Sequence, residues 1–383
     1  MKLLKFSIIF LLAFGFLGCA TKPSSTTSVI TFPSSTTFGS RLLYNATKSA
    51  AGGVIERPSP SEDSLVGLAR IKDLGNELLS DIGGISIILE TEDHETLEGF
   101  YFDPKEFRAR QMSAYKKWRS ILKSPRNCRL SEMFESEFSG GTMLSLLSLP
   151  NSLHTLANAK RRPLGVLVLP EYGLSFQLDP KIIVNYLARG MHVFAINYRG
   201  DDKIPEWQMT CNDAQLAFNW LKARLKLPSK ELVVCGKSFG SGPAIYLGTQ
   251  EPGVTLILER PFARMSDLCE YHQKGPIASL ASPFAKSFIE KYFRYPNEDW
   301  IKKVRGKVLF LESVDDEAIK GHTQRLVKAM TSGLTEKEQK EFEDKFWIKI
   351  RGSHFGRFWG DQSCSWYGSE VNQNKLTRFL EEL

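Results

Sequence analysis

Residues that hold metals are scarce in this chain. Its 383 residues include six cysteines and six histidines, and no C-x-x-C or H-E-x-x-H spacing gathers any of them. No metal and no cofactor are expected. Apart from Cys19, the cysteines Cys128, Cys211, Cys235, Cys269 and Cys364 form an odd set that implies no disulfide framework. Cys235 lies within an apolar strand pattern, where a small buried side chain fits. Runs of one charge are missing as well. Lys and Arg number 50 against 43 Asp and Glu, a formal net charge of +7 scattered along the chain. Without basic clusters or Arg interleaved with aromatics there is no footprint for nucleic acid. The apolar run from Phe6 to Leu17 is too short for a comfortable membrane span. No internal repeat stands out.

What the first residues do carry is an ordered set of signals. Lys2 and Lys5 precede the Phe6–Leu17 run, and Gly18-Cys19 follows it, the order of a signal peptide. Phe16-Leu17-Gly18-Cys19 resembles the lipobox of bacterial lipoproteins, with Phe16 where that motif usually has Leu. The resemblance implies a signal peptide over 1–18 and a diacylated Cys19 as the mature N-terminus. It also implies a lipid anchor in the bacterial cell envelope, at the outer membrane of a Gram-negative cell. Ala20 rather than Asp follows the cysteine, so the enteric inner-membrane retention signal is absent. Residues 19–62 are rich in Ser, Thr and Pro and bury too little apolar area to fold, so they read as a tether. Forty such residues reach roughly 35 Å root-mean-square. The remaining 63–383 is read as one domain.

From about Asp81 the pattern alternates between strand and helix, which predicts a mostly parallel sheet with helices on both faces. Ile85–Leu89 and Leu97–Tyr101 flank the polar Glu92-Asp93-His94-Glu95 and predict an edge hairpin. Six further strands are predicted at Val166–Leu169, Val193–Ile196, Leu232–Cys235, Leu256–Leu258, Val308–Leu311 and Phe346–Ile350. Most are continuous apolar runs, as strands covered on both faces should be. Ala214, Ala217, Phe218, Leu221 and Leu225 fall on one helical face, with Asn212 or Asp213 as the cap. Another helix runs from Pro180 to Gly190, Gly190 closing it. Two insertions interrupt the alternation, about 104–160 and 265–300. The first predicts a helix over Glu106–Leu122 and an apolar stretch from Met143 to Leu153. The second contains Ile277, Leu280, Phe284, Phe288 and Phe293; it forms either a small helical lid or plain packing.

The chemistry concentrates at Leu232–Gly240, where an apolar strand runs into Gly236-x-Ser238-x-Gly240. A serine hydroxyl needs a base to take its proton, and the base needs an orienting carboxylate. A carboxylate pair, Asp315-Asp316, follows the strand Val308–Leu311, and His354 follows the last strand directly. Ser, acid and His therefore occur in the chain order of an α/β-hydrolase, each in a loop at a strand's carboxyl end. His94, His154, His192, His272 and His322 fit that template less well. Lys237 is read as exposed or locally paired and has no chemical role.

From about residue 83 to 360 the chain resembles the α/β-hydrolase superfamily. The closer likeness is to its membrane-associated acylglycerol, lysophospholipid and acyl-protein lipases. Leu258-Glu259-Arg260-Pro261-Phe262, Asn197-Tyr198-Arg199-Gly200 and Gly236-Lys237-Ser238-Phe239-Gly240-Ser241-Gly242 carry the resemblance. It implies an α/β-hydrolase fold with an eight-stranded sheet, and a Gly-x-x-Asp-Glu acid loop that puts the acid on Asp316. It implies an oxyanion hole of two backbone N–H groups, from Phe239 and from Leu174 in the loop Pro170-Glu171-Tyr172-Gly173-Leu174. The family has His-Gly where this chain has Tyr172-Gly173. The expected activity is ester hydrolysis at Ser238, with Asp316 and His354, on a lipid or other ester substrate. The rival expectations are a thioesterase or peptidase, or a non-catalytic lipoprotein that binds through the same fold.

Overall fold

The structure is a computed structural model that describes residues 73, 75–123, 164–171, 180–199, 207–265, 267, 294–316, 319–350 and 370–383. Its centre is an eight-stranded sheet in the order β1-β2-β4-β3-β5-β6-β7-β8. The strands are β1 Ile85–Glu90, β2 Thr96–Phe102, β3 Gly165–Leu169, β4 His192–Ile196, β5 Leu232–Lys237, β6 Thr255–Glu259, β7 Val308–Ser313 and β8 Trp347–Ile350. The hairpin β1–β2 joins β4 antiparallel, and every pair from β4 to β8 is parallel. This is the α/β-hydrolase arrangement, and every strand expected from the sequence is present.

Helices cover both faces. They are α1 Pro104–Lys123, α2 Pro180–Ala188, α3 Trp207–Leu225, α4 Ser241–Gln250, α5 Asn297–Ile301, α6 His322–Met330, α7 Glu336–Phe346 and α8 Glu370–Glu381. Successive strand residues point to opposite faces, so each apolar run feeds two cores. Val166, Val168, Val233 and Cys235 pack with Phe107, Trp118, Ile183, Tyr186 and Phe379 of α1, α2 and α8. Leu167, Leu169, Leu232 and Val234 pack with Ala217, Phe218, Leu221, Ala244 and Leu326 of α3, α4 and α6. That division is why these strands have no polar alternation. Gly190, at φ 80°, ends the turn after α2, as the pattern Pro180 to Gly190 predicts.

One helix start differs from expectation. Helix α3 begins at Trp207, so Asp213 lies inside it and caps nothing. Its carboxylate is used sideways. Arg199 Nε donates to Asp213 Oδ2 at 3.0 Å, and Arg199 Nη2 sits 2.7 Å from Oδ1. The same guanidinium donates to Thr91 Oγ1 at 2.9 Å and reaches Asp93. Arg199 thus ties the β1–β2 turn to α3 across the carboxyl end of β4. The predicted segment Met143–Leu153 and most of 265–300, with the lid reading, lie outside the described residues. Residues 1–72, with the leader and tether, lie outside them too. Among the described residues no helix is long and apolar enough to cross a membrane.

Burial pushes the Asp213 carboxyl above its ordinary range, and Arg199 offsets this only in part. Arg199→Met should leave that buried charge unpaired and cost about 3–5 kcal/mol near pH 7. In the variant, Asp213 binds its proton more readily folded than unfolded, so stability rises as pH falls. Urea denaturation should therefore show a deficit that is larger at pH 8 than at pH 5; a pH-independent deficit would contradict the assignment.

Candidate active site

Parallel strands β3 and β5 lie side by side with Leu169 opposite Gly236, and β3 is where successive connections run to opposite sides of the sheet. Clefts of open α/β sheets form at such switch points, outside the strands' carboxyl ends. Strand β5 ends at Lys237, and a single turn, Ser238–Gly240, leads into α4. Ser238 takes φ 48°, in the left-handed region. A non-glycine residue there costs on the order of 1–3 kcal/mol and persists only where its surroundings hold it.

Two glycines make that turn fit. A Cβ on Gly236 would stand 2.5 Å from the Gly240 carbonyl oxygen and 2.7 Å from Ala244 Cβ. A Cβ on Gly240 would collide with the Leu169 carbonyl oxygen and come within 2.8 Å of that of Pro170. The turn is also tied down. Ser241 Oγ donates to the Ser238 carbonyl at 2.6 Å, and the Ser241 hydroxyl accepts from Phe262 N–H at 3.4 Å. Phe239 is buried, its ring edge-to-face with Tyr198 and Tyr295 at 5.4 and 5.5 Å. Ser238 itself is half-buried.

The carboxylate pair after β7 divides by environment. Asp315 is exposed, whereas Asp316 is only 2% exposed. Asp316 N–H donates to the Ser313 carbonyl at 3.2 Å, and Asp316 Oδ1 accepts from Ile319 N–H at 3.2 Å. Between the two loops, the Glu-Arg-Pro-Phe segment bridges β6 to β7. Arg260, at φ 48° and 1% exposed, donates its N–H to the Leu311 carbonyl at 2.8 Å. Arg260 Nε donates to Ser313 Oγ at 2.8 Å, and its guanidinium pairs with the buried Glu259. His322 is buried; its Nδ1 accepts from Ala263 N–H at 3.0 Å, and burial lowers its pKa. It therefore serves as a neutral acceptor at the base of the 265–300 insertion.

Of the expected site residues, the structure describes Ser238, Phe239 and Asp316, each at the carboxyl end of the sheet. His354, Leu174 and Cys19 lie outside the described residues, as do Tyr172 and Gly173. Of the two alternatives expected for Lys237, exposure or a pairing, the structure shows the pairing. The side chain is buried, with Nζ 3.7 Å from Glu171 Oε2. Lys237 ends strand β5 at the carboxyl edge of the sheet, beside the exit of β3 that carries Glu171. Sequence reading missed Glu171 and the burial of Arg260. The available signal was opposite charge immediately beyond two neighbouring apolar strands. Among the described residues no group of three or more His, Cys, Asp or Glu could hold a metal ion.

No protein-family model matches the chain, and no curated protein matches its sequence. Among solved structures, an esterase of Pyrococcus furiosus is 13% identical, covering 80% of this chain and 94% of that one, with a TM-score of 0.47. An α/β hydrolase of Vibrio vulnificus is 15% identical over 95% and 98% of the two chains, with a TM-score of 0.49. An acylaminoacyl peptidase of Pyrococcus horikoshii is 14% identical over 74% and 39%, with a TM-score of 0.42. Likeness at this distance says nothing of activity, and the fold is read from the sheet itself.

The left-handed φ at Ser238 predicts an ordering of two inactive variants. Ser238→Gly should be more stable than Ser238→Ala by about 1 kcal/mol, because glycine alone occupies that region freely. Thermal denaturation of the pair decides it; equal stability would show that the turn is not strained.

Proposed function

We propose that the chain is a serine hydrolase that cleaves carboxylic esters, lipid acyl esters above all, at a bacterial membrane to which a lipidated Cys19 anchors it. The carrying observation is Ser238 itself: a half-buried serine at φ 48° in a strand-turn-helix that only glycines at 236 and 240 permit. Strain of that kind exposes a nucleophile at the top of a sheet and serves no packing purpose.

In this reading His354 takes the proton of Ser238 as Oγ bonds to the ester carbonyl carbon. Asp316 orients the imidazole and stabilises its cationic form. The carbonyl oxygen becomes an oxyanion that accepts hydrogen bonds from the main-chain N–H groups of Phe239 and Leu174. The C–O bond to the alcohol breaks, the alcohol leaves with the proton from His354, and an acyl-enzyme remains. Water then adds by the same route and releases the acid and free Ser238. Burial of Asp316 beside an exposed Asp315 supports Asp316 as the acid, since a carboxylate shielded from water orients an imidazole more firmly. The lipid preference draws on the lipobox-like Phe16–Cys19 and on the apolar residues of the 265–300 insertion.

Three measurements test this. A fluorophosphonate probe should label wild-type protein and not Ser238→Ala, and turnover of p-nitrophenyl butyrate and palmitate should vanish with it. A folded wild type that neither labels nor turns over overturns the proposal. Asp316→Asn should lower kcat by about 10³–10⁴-fold, with Asp315→Asn within a few-fold of wild type; the reverse ordering would move the acid to Asp315. Metabolic labelling with a palmitate analogue should mark wild type and not Cys19→Ser, and unchanged labelling would remove the anchor.

A further inference from the structure

We infer that Lys237 and Glu171 form a buried charge pair that positions the exit of strand β3 against the nucleophile turn, which makes both of them positioning residues for hydrolysis at Ser238. The inference rests on the serine-hydrolase reading. Lys237 immediately precedes Ser238, and Glu171 opens the segment that leaves β3. Their side chains are 5% and 8% exposed, with Nζ and Oε2 separated by 3.7 Å. That separation exceeds a hydrogen bond, and Glu171 Oε2 has no hydrogen-bond partner. The contact is therefore mainly coulombic, and shielding from water strengthens it.

Its place in the fold is what gives it a task. The last shared rung of β3 and β5 is Leu169 opposite Gly236, and among the described residues their ladder goes no further. One restraint past that rung is the contact of Gly240 with the Leu169 and Pro170 carbonyls, which fixes residues 169 and 170. The Lys237–Glu171 pair is a second one, and it carries the restraint one residue further. After Glu171 come the main-chain groups expected to stabilise the oxyanion, where loss of one donor costs about 10²–10³-fold in rate. A buried ion pair adds little net stability over apolar residues of the same size, so stability does not account for two charges here. Fixing where a catalytic loop departs does.

The test uses the full chain in detergent, with kcat and KM for p-nitrophenyl butyrate, fluorophosphonate labelling rate and melting temperature measured together. The deciding variant is Lys237→Met/Glu171→Leu, which fills the same space and removes both charges of the pair. It should melt at or above the wild-type temperature yet lose about 10–100-fold in kcat and labelling rate, with KM within about threefold. Glu171→Asp, which keeps the charge but draws it back, should lose kcat about 10-fold at unchanged KM. A stable double variant within threefold of wild-type kcat overturns the inference. So does a double variant that melts early or fails to fold, since the pair would then be structural only. If wild type neither labels nor turns over, the hydrolase reading itself falls and takes the pair's role with it. Activity in wild type with indifference to the pair removes only the pair.

Discussion

Strand β5 hands the chain to α4 through three residues, and there the backbone of Gly240 lies against the carbonyl of Leu169, closer than any side chain would allow. This close approach falls at the last rung shared by β3 and β5, two residues after Ser238 takes its left-handed φ of 48°. The neighbouring structure serves the same constraint. Ser241 bonds back to the Ser238 carbonyl, and Phe239 is gripped by Tyr198 and Tyr295. Gly242 lets the Tyr295 ring approach α4, since a Cβ there would stand 2.5 Å from its Cδ1. Strain at one residue is held by the hydrogen bonding and packing of its neighbours.

Charge is handled in a consistent way along the carboxyl edge of the sheet. Arg199 with Asp213, Lys237 with Glu171, and Arg260 with Glu259 are each largely buried, and each stands at or just past a strand end. The first joins the end of β4 to α3, and the second joins the end of β5 to the exit of β3. Arg260 reaches on from β6 to Ser313 of β7. Past the strand ends main-chain bonds across the sheet continue only in places, as from Arg260 N–H to the Leu311 carbonyl and from Asn197 N–H to the Glu98 carbonyl. There, buried ions add restraint, with directional or long-range pull that apolar contacts lack.

The sheet was legible in the sequence because burial on both faces writes itself as unbroken apolar runs. Val308–Leu311 and Leu232–Cys235 can hardly be read otherwise. The tight turn at Ser238 was legible because two glycines at fixed spacing around a serine answer to one steric need, the close approach at positions 236 and 240. Asp213 was misread because a cap and an interior carboxylate look alike until the distant Arg199 is known. For Lys237 exposure and pairing stayed open, because a lysine is usually solvated and its counter-charge lies 66 positions earlier in the chain, at Glu171. Pairings across such separations leave no periodic trace. The same holds for Arg260, whose burial follows from Glu259 and Ser313 jointly.

Ser238 follows β5 and Asp316 follows β7, with only β6 between. Their separation is thus gauged by two inter-strand steps, each roughly 4.8 Å and set by main-chain hydrogen bonds. A sheet of this kind is a ruler whose graduations no side chain can alter. Loops above it can lengthen, shrink or change composition, while the span between Ser238 and Asp316 keeps its calibration. Variation in the loops and constancy of that span are, by this geometry, separate degrees of freedom.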